Sequence, residues 1–302
     1  MKSVLLYLSE QPKLRQFAVG SSVSRKTARR FVAGESSEEA ITAVKELNRK
    51  GFSGTLDYLG ENVSTREEAQ GATDEYVRDL DMIESAKVNC NVSLKLTQFG
   101  LDLSEDLCRE NVDQVIKRAG SYGNFVRVDM EGSAYTDSTL RVFSALRKVH
   151  TNVGIVIQAY LFRSDKDIRD VLQLKSRVRL CKGAYKEPPE ISFKKKSDTD
   201  RNYINLMKVL LKSGIYHGIA THDPNMISAT KQFAQSEKID KNQFEFQMLY
   251  GIRRDLQEQL IGEGFNLRVY VPYGKEWYPY LMRRMAERPA NLLFVLRNLI
   301  RG

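Results

Sequence analysis

A segment near the C-terminus carries four side chains whose types and spacing suit the capture of an anion. Tyr280, Arg283, Arg284 and Glu287 stand at positions i, i+3, i+4 and i+7, so on a helix they lie along one side. Two guanidinium groups that project into a pocket can hold a carboxylate or a phosphate through paired hydrogen bonds. A solvated helix face with an Arg–Glu pair is the competing interpretation, and for the two arginines alone it is favoured.

A second set of polar side chains lies within or at the ends of short apolar segments. Any single one has a structural explanation, because polar residues collect where a chain leaves the core. As a set they must pair with other protein groups or contact a ligand, since an unpaired buried charge is costly. One ligand could contact many of them. The set is Glu61, Lys95, Asp129, Glu131, Gln158, Tyr160, Arg179, Lys182, His222, Asp223, Gln247 and Tyr270.

Several familiar chemistries have no motif in this chain. The histidines are His150, His217 and His222, and none forms HExxH, HxH or a Cys/His cluster, so no metal site is predicted. We expect His150 and His217 on the surface or in loops, and His222 at a strand end. Neither a GxxxxGK[ST] phosphate loop nor a GxSxG nucleophile elbow occurs.

The elements that position these side chains alternate along the chain. Eight short runs rich in β-branched and aromatic residues predict strands. Segments of helical period separate them, such as the one after Asp198 and the one that Asp223 and Pro224 begin. The predicted strands cover residues 55–61, 92–97, 125–130, 154–160, 178–182, 218–222, 244–249 and 267–271.

Eight strands, each followed by a helix, predict an α/β fold of the TIM-like (βα)8 barrel type, whose usual size is about 250 residues. We assign residues 51–302 to this barrel, including the C-terminal substrate-binding helix, and residues 1–50 to an N-terminal helical extension. A doubly wound open sheet is the alternative, but its dinucleotide fingerprint GxGxxG is absent.

Composition and charge indicate what kind of partner and which compartment to expect. The 302 residues carry 47 basic and 38 acidic side chains, a net charge of +9, which favours an anionic partner without choosing among nucleic acid, lipid and a phosphorylated cofactor. The basic residues are scattered rather than gathered on an arm, so nucleic-acid binding is not expected. Three widely spaced cysteines and no long apolar stretch predict a cytoplasmic protein. Peripheral contact with the inner face of the cell membrane stays open.

Four segments together resemble the proline dehydrogenase family, in particular its monofunctional bacterial members and the related domain of bifunctional proline-utilisation proteins. They are YLMRRMAERPAN (280–291), VRLCKGAY (178–185), ATH (220–222) and RVY (268–270). The resemblance covers nearly the whole chain from FVAGE (31–35) onward. It implies a distorted (βα)8 barrel with non-covalent FAD.

The resemblance also implies a substrate pocket. Arg283 and Arg284 would hold the carboxylate of proline, with Lys95 as a third cation, and Glu61 would pair with Arg283 as a gate. The wall around the pyrrolidine ring would be Leu249, Tyr270 and Tyr280. The implied catalytic set is Lys95, Asp129, Arg179, Tyr270, Tyr280, Arg283 and Arg284.

For the flavin, the resemblance implies contacts from strand ends and from the loop after the fifth strand. Arg179 would lie near the N5 edge, and Gln158 and Gln247 near the ring system. The implied set is Asp129, Met130, Gln158, Arg179, Cys181, Lys182, Gly183, Ala184, Tyr185, Thr221, His222, Asp223, Gln247 and Glu287. Bifunctional relatives carry tryptophan after the residue that matches Tyr185, whereas this chain has Lys186.

The implied reaction is oxidation of L-proline to 1-pyrroline-5-carboxylate by hydride transfer from C5 to flavin N5, the first step of proline catabolism to glutamate. A membrane quinone would take the electrons, anionic lipid would contact the basic surface, and a separate pyrroline-5-carboxylate dehydrogenase would follow. A dehydrogenase for hydroxyproline or another cyclic amine on the same scaffold is the alternative. The phenol of Tyr270 against the ring disfavours an added hydroxyl group.

Overall fold

A computed structural model gives the fold of residues 28–287, without the side chains of Arg283, Met285, Ala286 and Glu287. Eight strands form one closed sheet in which every neighbouring pair is parallel and β1 pairs with β8. The predicted α/β barrel is confirmed. The strands are β1 (Ser53–Tyr58), β2 (Cys90–Leu94), β3 (Val126–Val128), β4 (Val153–Gln158), β5 (Val178–Cys181), β6 (His217–Ala220), β7 (Phe244–Leu249) and β8 (Asn266–Tyr273).

Several of the helices that cover the barrel begin where the sequence provides caps. Thr65 and Glu68 form a capping box before α2, and Asp223 caps α7 with Pro224 in its first turn. The helices are α1 (Ser37–Arg49), α2 (Arg66–Ala86), α3 (Glu105–Ser121), α4 (Thr136–Val149), α5 (Ser164–Gln173), α6 (Lys196–Lys212), α7 (Pro224–Ser236), α8 (Arg254–Gly262) and α9 (Trp277–Glu287).

The two faces of the barrel strands differ in polarity. One set of alternating positions is apolar and packs against the helices, for example Val126 and Val128 of β3. The other set is polar, for example Arg127 and, directly after the strand, Asp129. Arg179 of β5 donates to Ser93 of β2 at 2.9 Å, and since these strands are not neighbours, the bond crosses the interior. The interior is therefore a polar network rather than the branched apolar filling common in such barrels.

Helix α9 departs from the regular barrel arrangement. Tyr280, Leu281 and Met282 pack in a cluster with Leu59, which follows β1, and Ile252, which follows β7. The helix therefore lies over the carboxyl ends of the strands, where barrel enzymes place their active sites.

The N-terminal extension predicted for residues 1–50 is described in part. Within it, α1 buries Ala40, Ile41 and Val44 in the main core, and Ala28, Phe31 and Val32 join the cluster under α9. Residues 1–27 lie outside the described part, so the extension as a unit stays a prediction.

Several strand boundaries and one histidine differ from the sequence prediction, and only β7 has the predicted bounds. β1 ends at Tyr58, β2 at Leu94 and β3 at Val128, so Glu61, Lys95 and Asp129 lie in the segments that leave the barrel. The prediction of His217 as a surface or loop residue was wrong. It is fully buried at the start of β6, where its Nδ1 accepts the Val178 amide at 2.9 Å.

Candidate active site

Asp129 is the centre of a hydrogen-bonded cluster at the carboxyl ends of the strands. Its Oδ1 accepts from Ser93 Oγ at 2.7 Å and from Arg179 Nη1 at 2.8 Å, and its Oδ2 accepts from the Tyr270 hydroxyl at 2.7 Å. These donors come from β2, β5 and β8, so closure of the barrel is what brings them together. Three donors fix the carboxylate in one orientation, and charge-assisted bonds of this kind are stronger than neutral ones.

Lys95 is the cation of the same cluster. Its Nζ lies 2.8 Å from Asp57 Oδ1, 3.2 Å from the Tyr270 hydroxyl, 3.6 Å from Glu61 Oε1 and 4.0 Å from Asp129 Oδ2. Burial alone would lower the pKa of Lys95, but the carboxylates of Asp57, Glu61 and Asp129 outweigh it and raise that pKa. The ammonium group therefore stays charged at neutral pH.

Two carboxyl groups near Lys95 have raised pKa values. Burial raises the pKa of Asp57 to about 6, although the Lys95 charge opposes the rise. Burial also raises the pKa of Glu131 to about 7, against hydrogen bonds from Thr97. Glu131 accepts from the Thr97 hydroxyl at 2.7 Å and from its amide at 3.2 Å, so it anchors the turn after β2.

The predicted substrate wall assembles at one corner of the barrel mouth. Leu249 and Tyr270 are register partners on β7 and β8, and Leu249 packs against the cluster that contains Tyr280 of α9. The Arg284 guanidinium lies 5.3 Å from the centre of the Tyr280 ring, within the range of a cation–π interaction. Tyr270 is itself flanked by two cations, with Arg179 at 5.2 Å and Lys95 at 5.9 Å from its ring centre.

The structure describes only one of the two side chains of the predicted gate. Glu61 follows β1 and lies 3.6 Å from Lys95. The side chains of Arg283 and Glu287 lie outside the described part of the chain. The gate pair and the flavin contact assigned to Glu287 therefore stay predictions.

The predicted flavin side of the cluster offers a donor and an acceptor that the described residues leave unpaired. Arg179 uses Nε on Gln247 and Nη1 on Asp129 and Ser93, but its buried Nη2 has no partner among residues 28–287. Gln158 donates to the Met130 carbonyl at 3.2 Å, while its buried Oε1 has no partner there. A flavin ring system presents an N–H donor as well as carbonyl and ring-nitrogen acceptors, so these two groups fit it.

The loop after β5 contains a glycine that no other residue could replace without strain. Gly183 has φ +112°, and a Cβ there would lie 2.3 Å from a ring carbon of Tyr160. Ala184 and Tyr185 follow in the same irregular segment, after Cys181 at the half-buried end of β5. Glycine is thus required for the loop to pass against the Tyr160 ring.

Lys182 sits at the start of that loop between two carboxylates. Its Nζ bonds Asp200 and lies 2.8 Å from Asp223 Oδ2. Burial would raise the pKa of Asp223, but the hydrogen bonds from Lys182 and the Asn225 amide lower it to about 2. A pyrophosphate at this position must therefore share Lys182 with carboxylates.

His222 and Thr221 have structural bonds at the end of β6. The Leu249 amide donates to His222 Nε2 at 2.9 Å, which requires this nitrogen to be unprotonated. The Asp223 amide donates to the Thr221 hydroxyl at 3.1 Å, and Thr221 donates its own amide to the Gln247 carbonyl at 3.2 Å. These bonds join β6 to β7 beside Leu249.

Sequence reasoning missed two members of the cluster, Asp57 and Ser93. Both are fully or almost fully buried, at 1% and 0% exposed, and both contact a predicted site residue directly. A signal for them does exist in the sequence. Polar residues recur at every second position of these strands, so the apolar positions between them define the outer face.

The fold and the charged barrel mouth define a barrel enzyme, and comparison with known proteins gives its family. The proline dehydrogenase family model matches residues 40–297. The chain is 43% identical over 301 residues to proline dehydrogenase 1 of Bacillus subtilis strain 168, covering 100% of this chain and 99% of that one. It is 40% identical over 306 residues to proline dehydrogenase of Deinococcus radiodurans, covering 100% of this chain and 98% of that one.

The bifunctional relatives are more distant. A crystal structure of proline utilization A (PutA) from Bdellovibrio bacteriovorus, inactivated by N-propargylglycine, superposes with a TM-score of 0.82 at 26% identity, covering 94% of this chain and 38% of that one. The chain belongs to the proline dehydrogenase family. It is accordingly an oxidoreductase of proline catabolism, and the resemblance that the motifs carry is confirmed.

Proposed function

We propose that this enzyme oxidises L-proline to 1-pyrroline-5-carboxylate with a non-covalently bound FAD and passes the electrons to a quinone. Family membership supports proline as the substrate. The observation that carries the assignment is the Lys95–Asp129–Arg179–Tyr270 cluster, because it joins a buried cation, a fixed carboxylate and a phenol at one mouth of the barrel. The Bdellovibrio relative is inactivated by N-propargylglycine, which is a secondary amino acid like proline.

The cations of the mouth suit the carboxylate of proline. Lys95 stays charged and is fixed by Asp57 at 2.8 Å, so its position costs little to organise when substrate arrives. Arg284, beside Tyr280, adds a planar guanidinium on the α9 side. Arg283 completes the clamp in this proposal.

Asp129 acts as a positioning group in this proposal. Its two oxygens already accept from Ser93, Arg179 and Tyr270, so its lone pairs are committed to orienting those side chains. Tyr270 is thereby held with its ring facing the mouth beside Leu249. Together these bonds place a rigid aromatic wall against the pyrrolidine ring.

The cofactor assignment follows from the same residues. FAD, when bound, would supply the acceptor for the hydride that leaves C5 of proline with its two electrons. Arg179 Nη2 and Gln158 Oε1 would pair with its ring system, and the fixed positive charge of Arg179 would favour negative charge that develops nearby. Gln247 holds the Arg179 Nε, and the loop of Gly183, Ala184 and Tyr185, whose path against Tyr160 requires the glycine, would contact the dinucleotide.

The electron acceptor and the location of the enzyme are part of the proposal. A quinone dissolved in the membrane would reoxidise the flavin, and the net charge of +9 favours contact with anionic lipid from the cytoplasmic side. Between residues 28 and 287, no helix is both long and apolar enough to cross a bilayer. A separate dehydrogenase would consume the 1-pyrroline-5-carboxylate.

Turnover with a soluble quinone analogue tests this proposal. We expect purified protein with L-proline and the analogue to form 1-pyrroline-5-carboxylate and the quinol in equal amounts, as mass spectrometry and absorbance would show. Trans-4-hydroxyproline should be a much poorer substrate because Tyr270 faces the ring. Hydroxyproline turnover that equals or exceeds proline turnover would contradict the substrate assignment.

A further inference from the structure

A cavity of about 450 Å³ opens at the end of the barrel opposite to the active site. Its lining includes residues that precede strands, such as Asn124 before β3, Arg177 before β5 and Tyr216 before β6. Its inner end is formed by Arg179, which also contacts Asp129 of the active-site cluster, and by Gln247, which bonds both Arg179 and Glu245 of the lining. The cavity is thus a separate chamber that shares one layer of side chains with the catalytic mouth.

The lining of this cavity has an excess of positive charge. Its cations are Lys87, Arg127, Arg177, Arg179 and Arg268, and its carboxylates are Glu84 and Glu245. Lys87 pairs with Glu84, and Arg268 pairs with Glu245 at 2.9 Å. In the described part of the chain, no carboxylate lies within 4.0 Å of Arg127 or Arg177.

Arg127 is the most deeply buried of these cations without a carboxylate. It is 4% exposed, and its Nη1 donates only to carbonyl oxygens, those of Ile155 at 3.3 Å and Arg177 at 2.9 Å. Its buried Nε has no hydrogen-bond partner within residues 28–287. Burial and then the positive charge of Arg179 lower the pKa of Arg127 well below its usual value. A nearby anion would offset both effects.

Aromatic rings hold the two arginines in place. The guanidinium groups of Arg127 and Arg177 lie 4.9 Å and 5.1 Å from the centre of the Phe125 ring, and Arg177 lies 5.4 Å from that of Tyr216. Cation–π contacts of this kind fix the direction of a guanidinium without neutralising its charge. The two groups are thus ordered and still available to an anion.

We propose that this cavity is a second ligand site, which binds an oxyanion through Arg127 and Arg177. The planar forks of arginine match either a carboxylate or a phosphate group. The expected ligand is therefore a small di- or tricarboxylate or inorganic phosphate. This site is distinct from the proline clamp at the opposite end of the barrel, and it does not depend on the reaction proposed above.

Calorimetric titration of the purified protein with its cofactor bound tests the site. Citrate and inorganic phosphate serve as separate probes at constant ionic strength, after the flavin has been reduced anaerobically by excess proline, which then occupies the clamp. Tighter binding of citrate identifies a polycarboxylate site, and tighter binding of phosphate identifies a phosphate site. In each case we expect one saturable event per chain.

Two variants and a matched control locate the binding. Arg177→Gln removes an exposed cation of the lining, and Asn89→Asp adds a negative charge at its rim, so each should weaken binding at least tenfold. Arg169→Gln removes a surface arginine of α5 that pairs with Asp165, and it should leave binding unchanged. Absence of saturable binding by the wild-type protein, or equal affinities in all four proteins, would overturn the proposal. Asn89→Asp keeps the test decisive if Arg177→Gln does not fold.

Discussion

At the scale of single residues, the active site depends on carboxylates that orient other groups. Asp57 fixes Lys95, and Asp129 fixes Tyr270 and Arg179, so the groups proposed to meet substrate and cofactor are held before either arrives. Preorganisation of this kind reduces the loss of side-chain freedom on binding. Charge balance contributes as well, because Lys95 is surrounded by three carboxylates within 4.0 Å.

Replacement of Asp57 tests whether its carboxylate is needed to fix Lys95. Asp57→Asn removes a charged hydrogen bond worth about 1.5–3 kcal/mol, so we expect kcat/KM for proline at pH 8 to fall roughly tenfold or more. In the wild type, Asp57 becomes neutral as pH falls through its pKa of about 6, which loosens Lys95 and lowers kcat/KM. The variant should lack this acidic limb.

The matched control is Asp113→Asn, which removes a carboxylate that pairs with Lys117 and His150 at the surface. It should keep the wild-type pH profile. An Asp57→Asn enzyme with an unchanged acidic limb would show that Asp57 does not position Lys95.

At the scale of elements, the loop after β5 and helix α9 matter most for the site. Gly183 allows the loop to pass directly over the Tyr160 ring, and α9 brings Tyr280 and Arg284 over the strand ends. Both elements are irregular with respect to an ideal barrel, in which helices cover the outer wall.

Gly183→Ala tests the loop. The variant places a Cβ 2.3 Å from Tyr160 at φ +112°, so backbone strain of about 1–3 kcal/mol must be relieved by movement of the loop. We expect a lower FAD content per chain, measured by absorbance of the purified protein. Gly71→Ala in α2 has no atom within 4 Å of the new Cβ, and it should keep full FAD content and gain up to about 1 kcal/mol of stability. Full FAD content in Gly183→Ala would contradict this function of the loop.

Much of this architecture could be predicted from the sequence. All eight strands were expected within a few residues, as were α6, predicted from Asp198 and found from Lys196, and α7 after Asp223, because period and caps are local signals. The carboxyl ends of several strands, among them β1 to β3, were predicted two or three residues too late, because Glu61, Lys95 and Asp129 leave the ladder and meet in space. Asp57 and Ser93 were missed because their partners come from other strands. The burial of His217 depends on a bond to the Val178 amide of the neighbouring strand, which local pattern does not show.

At the scale of the whole molecule, the barrel separates an apolar shell from a polar interior. The outward side chains form one continuous core with the helices, while arginines, carboxylates and amides fill the inside. Some of the buried carboxyl groups are costly to ionise. One is Asp79 of α2, which accepts a hydrogen bond from the Tyr273 hydroxyl of β8. Stability should therefore depend on pH.

Asp79 gives the direction of that dependence. Burial raises its pKa in the folded state to about 7, from an unfolded value near 3.8, so the folded state binds the extra proton between these limits. Its contribution to stability is present at low pH and is lost as pH rises through about 7. Between pH 5 and pH 8 the loss is about 2–3 kcal/mol, or roughly 3–5 °C in Tm.

Thermal unfolding of Asp79→Asn would check this account, because an uncharged side chain removes that part of the pH dependence. The Tm of the variant should fall less between pH 5 and pH 8 than that of the wild type. Equal slopes in the two proteins would show that Asp79 does not titrate in this range.

Reduction of the bound flavin by L-proline under anaerobic conditions tests the central claim most directly. The purified protein should be yellow with FAD, and its flavin absorbance should bleach on mixing with L-proline. Arg284→Met should keep its FAD but require roughly 10-fold to 100-fold more proline for the same rate, because one charged contact to the carboxylate is lost. Protein that binds FAD and is not reduced by L-proline at any concentration would contradict the account.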